Sequence, residues 1–301
     1  MTDVFPDFLQ PIPHPIAASH GVRLLLWRDD LRNPDLPGNK ARKLKYNLLQ
    51  ARAEGQARLL TFGGAYSNHL AAVAAAGRLH SFETVGLVRG EEYRPLNPTL
   101  ARCAADGMAL HYLDRATYRR RAEPGFLVEM QQRFGPAYLL PEGGTNTLAL
   151  RGVAELISEL RQHTAFDAVA VAAGTGGTLA GLALGVAEAS YPARVVGVAA
   201  LKGADFLRDE VNTLLATAGA PGAGYELHIG YHFGGYAKLP AGLRTFIQEF
   251  EADYGVLLDP IYTGKLLVGV LDLIAQGHFA PGSTVVAVHT GGLQAWAGFL
   301  R

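Results

Sequence analysis

The segment Leu36-Pro-Gly-Asn-Lys-Ala-Arg-Lys-Leu-Lys-Tyr46 joins a turn to a run of basic residues. Pro-Gly-Asn favours a turn, and residues 40–54 have the pattern of a helix. A lysine at a helix N-terminus meets free N–H groups and the positive end of the helix dipole, which favour its neutral amine. A neutral lysine amine is a nucleophile that forms Schiff bases with carbonyl compounds. Lys40 is therefore a candidate nucleophile; alternatively, the basic residues of this run form a solvated helix face.

Four glycine clusters each follow a predicted strand and precede a predicted helix or the chain's last turn. The carboxyl ends of strands in open α/β sheets are where such proteins bind ligands. One cluster is ordinary turn chemistry, but four at the same kind of junction favour a shared small-molecule site. The clusters are Phe62-Gly-Gly-Ala-Tyr-Ser-Asn-His69, Pro141-Glu-Gly-Gly-Thr-Asn146, Ala173-Gly-Thr-Gly-Gly-Thr178 and His289-Thr-Gly-Gly292.

The third cluster has the chemistry of a phosphate-binding loop. Its backbone N–H groups precede a helix, and glycines let an anion approach the main chain closely. No Gly-Lys-Ser/Thr follows, and the spacing lacks the third glycine and the acidic residue of a dinucleotide fingerprint. A phosphate monoester is therefore expected here, held by Gly174, Thr175, Gly176, Gly177 and Thr178.

Tyr66-Ser-Asn-His69 opens another predicted helix. Ser67 has the residue type of an N-cap, which is one reading of this segment. The other uses the N–H groups of the helix start, with Ser67 and Asn68, to bind a carboxylate. His69 is a packed residue or a ligand-binding one, since histidine serves both purposes.

Two further segments carry polar residues near predicted strand ends. Asp259-Pro-Ile-Tyr-Thr-Gly-Lys265 leads into a helix, with Thr263 either as an N-cap or, with Tyr262, as part of a site. His228 and His232 have a metal-like spacing, but a glycine lies between them in a strand-like stretch, so no metal is expected. A serine hydrolase is disfavoured because Ser67 lies outside a Gly-x-Ser-x-Gly motif.

Composition narrows the class of protein. The 301 residues are 49% hydrophobic with a formal net charge of zero, which permits a large core and gives no reason to expect binding to nucleic acid or a membrane. The uncharged stretch 168–187 contains a glycine turn and is interpreted as strand, turn and helix rather than as a membrane span. The single cysteine, Cys103, excludes an internal disulfide, and residues 1–8 lack the pattern of a signal peptide, so a cytoplasmic protein is expected.

Short apolar runs alternate with helical patterns along the chain, including one long helix predicted over 116–134. This alternation predicts an α/β protein with mostly parallel, twisted sheets and helices on both faces, in two three-layer domains. The expected division is a small domain of residues 41–145 and a large domain of residues 1–40 and 146–301.

The motifs together resemble the D-cysteine desulfhydrase / 1-aminocyclopropane-1-carboxylate deaminase family. Asn39-Lys-Ala-Arg-Lys43, Ser67-Asn-His69, the 174–178 loop, Asp259-Pro-Ile-Tyr-Thr-Gly-Lys265 and His289-Thr-Gly-Gly292 occur in that family's order, from about residue 36 to the C-terminus. Members are pyridoxal 5′-phosphate enzymes of the tryptophan-synthase-β fold, fold type II, and are commonly homodimers. The resemblance therefore implies this cofactor, this fold and a small amino-acid substrate.

The resemblance also assigns roles to residues. Lys40 is implied as the Schiff-base lysine, Lys43 and the 174–178 loop as phosphate ligands, and Asn68 as the partner of the cofactor's 3′-oxygen. The remaining implied roles are carboxylate binding by Ser67, Asn68 and His69, active-site tyrosines at Tyr262 and Tyr236, and Thr263 beside the pyridine nitrogen.

Thr263 distinguishes the two activities of the family. In the deaminases a glutamate faces the pyridine nitrogen and keeps the ring protonated, whereas a threonine hydroxyl supports a neutral ring, which is adequate for β-elimination. The residue favours D-cysteine desulfhydrase-type elimination to pyruvate, ammonia and sulfide. Alternatives are a 1-aminocyclopropane-1-carboxylate deaminase, another D-amino-acid lyase or racemase, and a ligand-binding protein without enzymatic activity.

Overall fold

The computed structural model describes residues 8–33, 35–92 and 94–299. The chain forms two compact units, a larger one of Met1–Asn39 and Leu150–Leu293 and a smaller one of Lys40–Ala149 and Gln294–Arg301. These bounds differ from the expected ones chiefly at the C-terminus, where the last turn joins the smaller unit. The reason is local packing, since a β-carbon at Gly298 would lie 3.5 Å from the ring of Tyr66. The first residues, on which the absence of a signal peptide was argued, lie outside the described part.

Ten strands and eleven α-helices form within the described residues. The strands are β1 Leu9–Pro11, β2 Arg23–Arg28, β3 Arg58–Gly64, β4 Glu83–Arg89, β5 Met108–Leu113, β6 Tyr138–Leu140, β7 Ala168–Ala173, β8 Arg194–Ala199, β9 Glu226–His228 and β10 Thr284–His289. The helices are α1 Pro15–Ser19, α2 Asn39–Ala53, α3 Asn68–His80, α4 Pro98–Ala105, α5 Arg115–Arg119, α6 Pro124–Phe134, α7 Thr147–His163, α8 Gly177–Glu188, α9 Phe206–Thr217, α10 Ala241–Tyr254 and α11 Thr263–Ala275.

The larger unit is built on a six-stranded sheet in the order β1-β2-β10-β7-β8-β9. Every neighbouring pair is parallel except β1 with β2. All six residues of β7 and of β10 are buried, because both faces of a central parallel strand are covered. Valines and alanines of these strands form the core together with apolar residues of α7, α8 and α9.

The smaller unit is built on a four-stranded parallel sheet in the order β5-β4-β3-β6. Its core includes Leu60 and Phe62 of β3, Leu87 of β4, and Phe126 and Met130 of α6. The prediction of an α/β fold with mostly parallel sheets is confirmed by both sheets.

One predicted helix is wrong as a single element. Residues 116–134 form two helices, α5 and α6, joined by a 3-10 turn over Arg120–Ala122. Pro124 begins α6 because a proline lacks the N–H that a helix interior needs and is tolerated in the first turn. The uncharged stretch 168–187 is β7, a glycine turn and α8, as expected, and no helix among the described residues is long and apolar enough to cross a membrane.

Candidate active site

Lys40 lies in the first turn of α2 and is half-buried. Its Nζ donates a hydrogen bond to the Gly143 carbonyl oxygen over 3.3 Å. Burial lowers the pKa of Lys40 to about 8, because a desolvated ammonium loses the hydration that stabilises its charge. The pKa of the Lys40 amine is thus lowered mainly by burial, and not by the helix dipole that the sequence suggests.

Lys43, one turn further along α2, is only 2% exposed, which excludes the solvated helix face for this residue. Its Nζ donates to the same Gly143 oxygen over 3.2 Å and to Thr145 Oγ1 over 3.1 Å. Burial and the neighbouring charge of Lys40 hold the pKa of Lys43 well below its usual range. Two buried amines that meet at one carbonyl form a site for an anion, whose charge would stabilise both ammonium groups.

Ser67 caps α3, so the capping interpretation is correct. Its Oγ accepts hydrogen bonds from the backbone N–H groups of His69 and Leu70, each over 3.2 Å. The hydroxyl hydrogen of Ser67 is not needed for the cap, so Ser67 can still donate to a ligand. Asn68 Oδ1 is buried without a hydrogen-bond partner in the described part of the chain.

His69 is 2% exposed, and its Nε2 lies 2.8 Å from Thr61 Oγ1. Thr61 Oγ1 donates to the Leu140 carbonyl over 2.9 Å and therefore accepts from His69. Burial and the charges of Lys40 and Lys43 hold the pKa of His69 well below its usual value, against a weaker opposing contribution from the Pro141 carbonyl. His69 is neutral near pH 7, so it contributes no charge to binding a carboxylate, and its Nδ1 lacks a partner among the described residues.

The 174–178 loop of the larger unit follows β7 and starts α8. Gly176 has a φ of 75° as the N-cap of α8, and a β-carbon there would lie 2.7 Å from Val211 Cγ2. A β-carbon on Gly174 would lie 3.0 Å from the ring of Tyr262. Glycine is therefore required at Gly176, whereas a β-carbon at Gly174 would need a small shift of the Tyr262 ring. The N–H groups in the first turn of α8 have no partner within the helix and are of the kind that can hold an anion.

Asn39 is a residue that sequence reasoning did not single out. Its Nδ2 donates to Thr178 Oγ1 over 2.8 Å, and its backbone N–H donates to the Thr290 carbonyl over 3.2 Å. The preceding Gly38 has a φ of 79° and passes so close to Thr290 that a β-carbon would lie 2.1 Å from its carbonyl oxygen. Asn39, the residue before Lys40, is thus hydrogen-bonded to residues of two of the four glycine clusters. In the sequence, only the Pro-Gly-Asn turn indicates that Asn39 has a structural role.

Asp259 is a second residue whose role sequence reasoning missed. Its fully buried carboxylate accepts from the backbone N–H groups of Ile261, Tyr262 and Thr263 over 2.7–2.9 Å and so caps α11. Thr263 is not the cap. Its Oγ1 donates to Asp259 Oδ2 and accepts from the Asp259 N–H, each over 2.7 Å. The only hydrogen of the Thr263 hydroxyl is therefore engaged by a carboxylate.

Tyr236 and Tyr262 lie together in the larger unit. Their ring centroids are 6.2 Å apart with an interplanar angle of 64°, an edge-to-face contact. Tyr236 is 46% exposed, so its ring can meet a small molecule. The pairing supports the assignment of both tyrosines to one group of residues.

The histidine pair with metal-like spacing does not come together. His228 lies instead with Glu226 and His278, whose potential ligand atoms are all within 4.8 Å of one another. Arg194 already binds both oxygens of Glu226, over 2.7 and 3.0 Å, and its Nη2 lies 2.5 Å from His278 Nε2. Hydrogen bonds and charge from Arg194 and His278 overcome desolvation and lower the pKa of Glu226 to about 2. Arg194 therefore neutralises the charge of the Glu226 carboxylate within this cluster.

Comparison with known proteins gives a consistent picture. The family model described as "Pyridoxal-phosphate dependent enzyme" matches residues 11–291. D-cysteine desulfhydrase of Yersinia pestis is 31% identical over 295 residues, covering 91% of this chain and 88% of the relative. The bifunctional D-cysteine desulfhydrase/1-aminocyclopropane-1-carboxylate deaminase of Arabidopsis thaliana is 29% identical, covering 91% and 73%. A crystal structure described as an ACC deaminase homologue is similar with a TM-score of 0.84 and 29% identity, covering 97% of this chain and 90% of that one.

Proposed function

The chain belongs to the family of pyridoxal-phosphate-dependent enzymes, and from this premise we propose that it eliminates the β-substituent of a small amino acid, D-cysteine in the first instance. The products are pyruvate, ammonia and sulfide. The observation that carries the proposal is that the Nζ atoms of Lys40 and Lys43 both donate to the Gly143 carbonyl, and burial lowers the pKa of Lys40 to about 8. At pH 7 about one Lys40 amine in ten is neutral, whereas an exposed lysine has fewer than about one in a thousand.

Each unit, taken by itself, contains residues of the types that bind this cofactor. The 174–178 loop offers the backbone N–H groups of a helix start, as a phosphate requires. Lys43 is a buried amine without a carboxylate among its hydrogen-bond acceptors, which suits a second phosphate contact. Asn68 Oδ1 is buried and lacks a donor among the described residues, so it can accept a hydrogen bond from the cofactor's 3′-hydroxyl. Thr263 is the proposed neighbour of the ring nitrogen.

When bound, the cofactor withdraws electrons from the substrate's α-carbon and so makes its proton acidic. Lys40 supplies the amine that holds the cofactor covalently and then, as a base, takes up a proton. Tyr262 is the alternative base, acting as its phenolate; Ser67 would be a base only if its hydroxyl hydrogen were not donated to the carboxylate. Ser67 and Asn68 orient the substrate carboxylate, with the Ser67 hydroxyl hydrogen as the donor that the helix cap leaves available. Neutral His69 directs its Nε2–H to Thr61 and so offers the carboxylate no hydrogen-bond donor.

A deaminase acting on 1-aminocyclopropane-1-carboxylate is the second candidate, and the contact between Thr263 and Asp259 favours it. Threonine at position 263 was expected to support a neutral ring, yet its hydroxyl hydrogen is directed to the Asp259 carboxylate. The Thr263 oxygen can therefore only accept a hydrogen bond from a third group, and an accepting oxygen stabilises a protonated ring nitrogen. This removes part of the reason for preferring elimination, so both substrates have to be tested.

The direct test is a chemical one on Lys40. Purified protein loaded with pyridoxal phosphate should absorb near the visible edge, and borohydride should fix the cofactor to Lys40 as mapped by mass spectrometry. Lys40→Ala should lack both properties, whereas Lys45→Ala, at an exposed position of the same helix, should retain them. A yellow, active Lys40→Ala protein would refute the assignment.

The substrate is identified by product analysis. Protein incubated with D-cysteine should release pyruvate and sulfide, while 1-aminocyclopropane-1-carboxylate would give ketobutyrate if the second candidate is correct. L-cysteine and D-serine serve as controls for stereochemistry and for the leaving group, and a racemase would produce the opposite enantiomer instead of a keto acid.

We further propose a cytoplasmic homodimer, supported by the single reduced cysteine and by the family resemblance.

A further inference from the structure

Lys265, in the first turn of α11, is fully buried and is not used by the proposed chemistry. Its Nζ donates to the carbonyl oxygen of Gly235 over 2.7 Å and to that of Ala200 over 3.1 Å. Burial lowers the pKa of Lys265 to about 8, with the Asp259 carboxylate acting in the opposite direction. Burying a lysine is unfavourable, so two carbonyl partners at these distances indicate a specific structural task.

The segment that Lys265 holds has an unusual backbone. Phe233, Gly234, Gly235 and Ala237 have positive φ angles of 51°, 90°, 126° and 53°. The left-handed region is unfavourable for residues with a β-carbon, so Phe233 and Ala237 keep this conformation only if the surroundings impose it. The Gly235 carbonyl is the point of attachment, accepting from Lys265 and, over 3.3 Å, from the Lys238 N–H.

Tyr236 lies in the middle of this segment, immediately after the carbonyl that Lys265 binds. Its ring contacts Tyr262, which lies three residues before Lys265 at the start of the same helix. Lys265 therefore connects the helix start that carries Tyr262 and Thr263 to the loop that carries Tyr236.

We propose that Lys265 is a positioning residue that holds Tyr236 against Tyr262 by binding the Gly235 carbonyl. The inference rests on the proposed function, since it gives Tyr236 a place beside the substrate. Lys265 contacts neither substrate nor cofactor in this scheme. It acts only through the conformation of residues 233–237.

Lys265→Met removes the ammonium while keeping an unbranched side chain of similar length. The variant should bind pyridoxal phosphate and be trapped at Lys40 like the wild type, while kcat falls by roughly ten- to a hundredfold because Tyr236 is displaced. Backbone amides 233–237 should exchange hydrogen faster in the cofactor-free protein as well. Lys238→Met, an exposed lysine of the same loop, should match the wild type in all three measurements.

A double-mutant cycle with Tyr236→Phe separates positioning from general destabilisation. If Lys265 acts through Tyr236, Lys265→Met should lower kcat much less in the Tyr236→Phe background than in the wild type. Fully additive losses, or wild-type exchange at 233–237, would overturn the proposal. If Lys265→Met does not fold, Lys265→Gln takes its place with the same expected directions, and wild-type values in that variant would equally overturn it. Failure of borohydride trapping in the wild type would instead refute the proposed function and leave the exchange result standing.

Discussion

At the scale of single residues, the main feature is a pair of lysine amines that share one acceptor. Lys40 and Lys43 both direct Nζ to the Gly143 carbonyl. One carbonyl dipole cannot compensate two desolvated positive charges, and the pKa values of both lysines are lowered for this reason. The arrangement favours a neutral amine at Lys40, which can react with an aldehyde, and an anion beside Lys43. An aldehyde that carries a phosphate group suits both lysines.

The cost of burying Lys40 predicts a pH dependence of stability. The pKa of Lys40 is about 8 in the folded protein and about 10.5 when the chain is unfolded, so the unfolded chain binds more protons between these values. Stability linked to Lys40 should therefore be lowest below pH 8 and should rise up to pH 10.5, by at most about 3 kcal/mol. Urea unfolding of cofactor-free protein between pH 7 and 10.5 measures the effect. Lys40→Met should lack the Lys40 contribution, and parallel curves for both proteins would contradict the prediction.

At the scale of elements, three helices begin with three different devices. Ser67 caps α3 with its hydroxyl, Gly176 turns into α8 with a positive φ, and Asp259 caps α11 with a buried carboxylate. Each device also determines which groups at that helix start remain available for a ligand. At the start of α3 the hydroxyl hydrogen of Ser67 remains available to a ligand, and at the start of α8 the backbone N–H groups remain available. At the start of α11 the oxygen of Thr263 remains available as an acceptor.

Asp259→Asn should destabilise the protein by roughly 2–3 kcal/mol, because the amide accepts fewer hydrogen bonds than the carboxylate and leaves N–H groups of residues 261–263 unpaired. Denaturant unfolding measures the change. Asp209→Asn provides a matched control, since Asp209 is an exposed acidic residue in the first turn of α9 and should cost less than about 1 kcal/mol. Equal losses at the two positions would show that burial of the Asp259 carboxylate is not what matters.

Gly38→Ala should be more damaging than the same change at Gly55. Both glycines have positive φ angles, 79° and 67°, but a β-carbon meets the Thr290 carbonyl at 2.1 Å only at Gly38, while the space around Gly55 is open. Gly55→Ala should therefore lower the free energy of unfolding by only about 1–2 kcal/mol, the cost of placing a residue with a β-carbon in the left-handed backbone conformation. Gly38→Ala adds a clash with main chain, and we expect a larger loss of stability together with weaker cofactor binding. Unfolding curves and cofactor titration of both variants decide this.

At the scale of the whole molecule, the cofactor is expected to stabilise the fold. A ligand present at 1,000 times its dissociation constant adds about 4 kcal/mol to the free energy of unfolding. Removing pyridoxal phosphate with hydroxylamine should thus lower the unfolding temperature by several degrees, and adding it back should restore the temperature. In Lys40→Ala, adding the cofactor should raise the unfolding temperature less than in the wild type, because the covalent bond between Lys40 and the cofactor is lost. Identical unfolding temperatures with and without cofactor would contradict the proposed binding residues.

The sequence predicted those parts of the fold and site that depend on local pattern. Alternating apolar strands and helical runs identified both parallel sheets, and glycine clusters marked the loops after β3 and β7. The break between α5 and α6 was visible as Pro124 and was overlooked. What local pattern cannot reveal is a partner far along the chain. Asn39 is paired with Thr178, 139 residues away.

Asp259 and Lys265 were missed for the same physical reason. Both belong to a motif that was recognised, yet their charges are buried, and what a buried charge does depends on the groups around it. The carbonyls of Ala200 and Gly235 that surround Lys265 lie 65 and 30 residues away and carry no side-chain signal. The direction of the Thr263 hydroxyl hydrogen depends in the same way on Asp259, whose buried carboxylate accepts it.

The order of strands in the larger sheet has a consequence for synthesis on the ribosome. β2 is hydrogen-bonded to β1 and to β10, and its register pairs Arg23 with Thr284. The β1–β2 hairpin therefore emerges some 260 residues before the strand that joins it to the rest of the sheet, a delay of tens of seconds at ordinary translation rates. The sheet of the smaller unit closes between β3 and β6 well before that time. Until β10 arrives, the apolar strand Leu24-Leu-Leu-Trp27 has an unpaired edge, which exposes the nascent chain to pairing with a wrong strand.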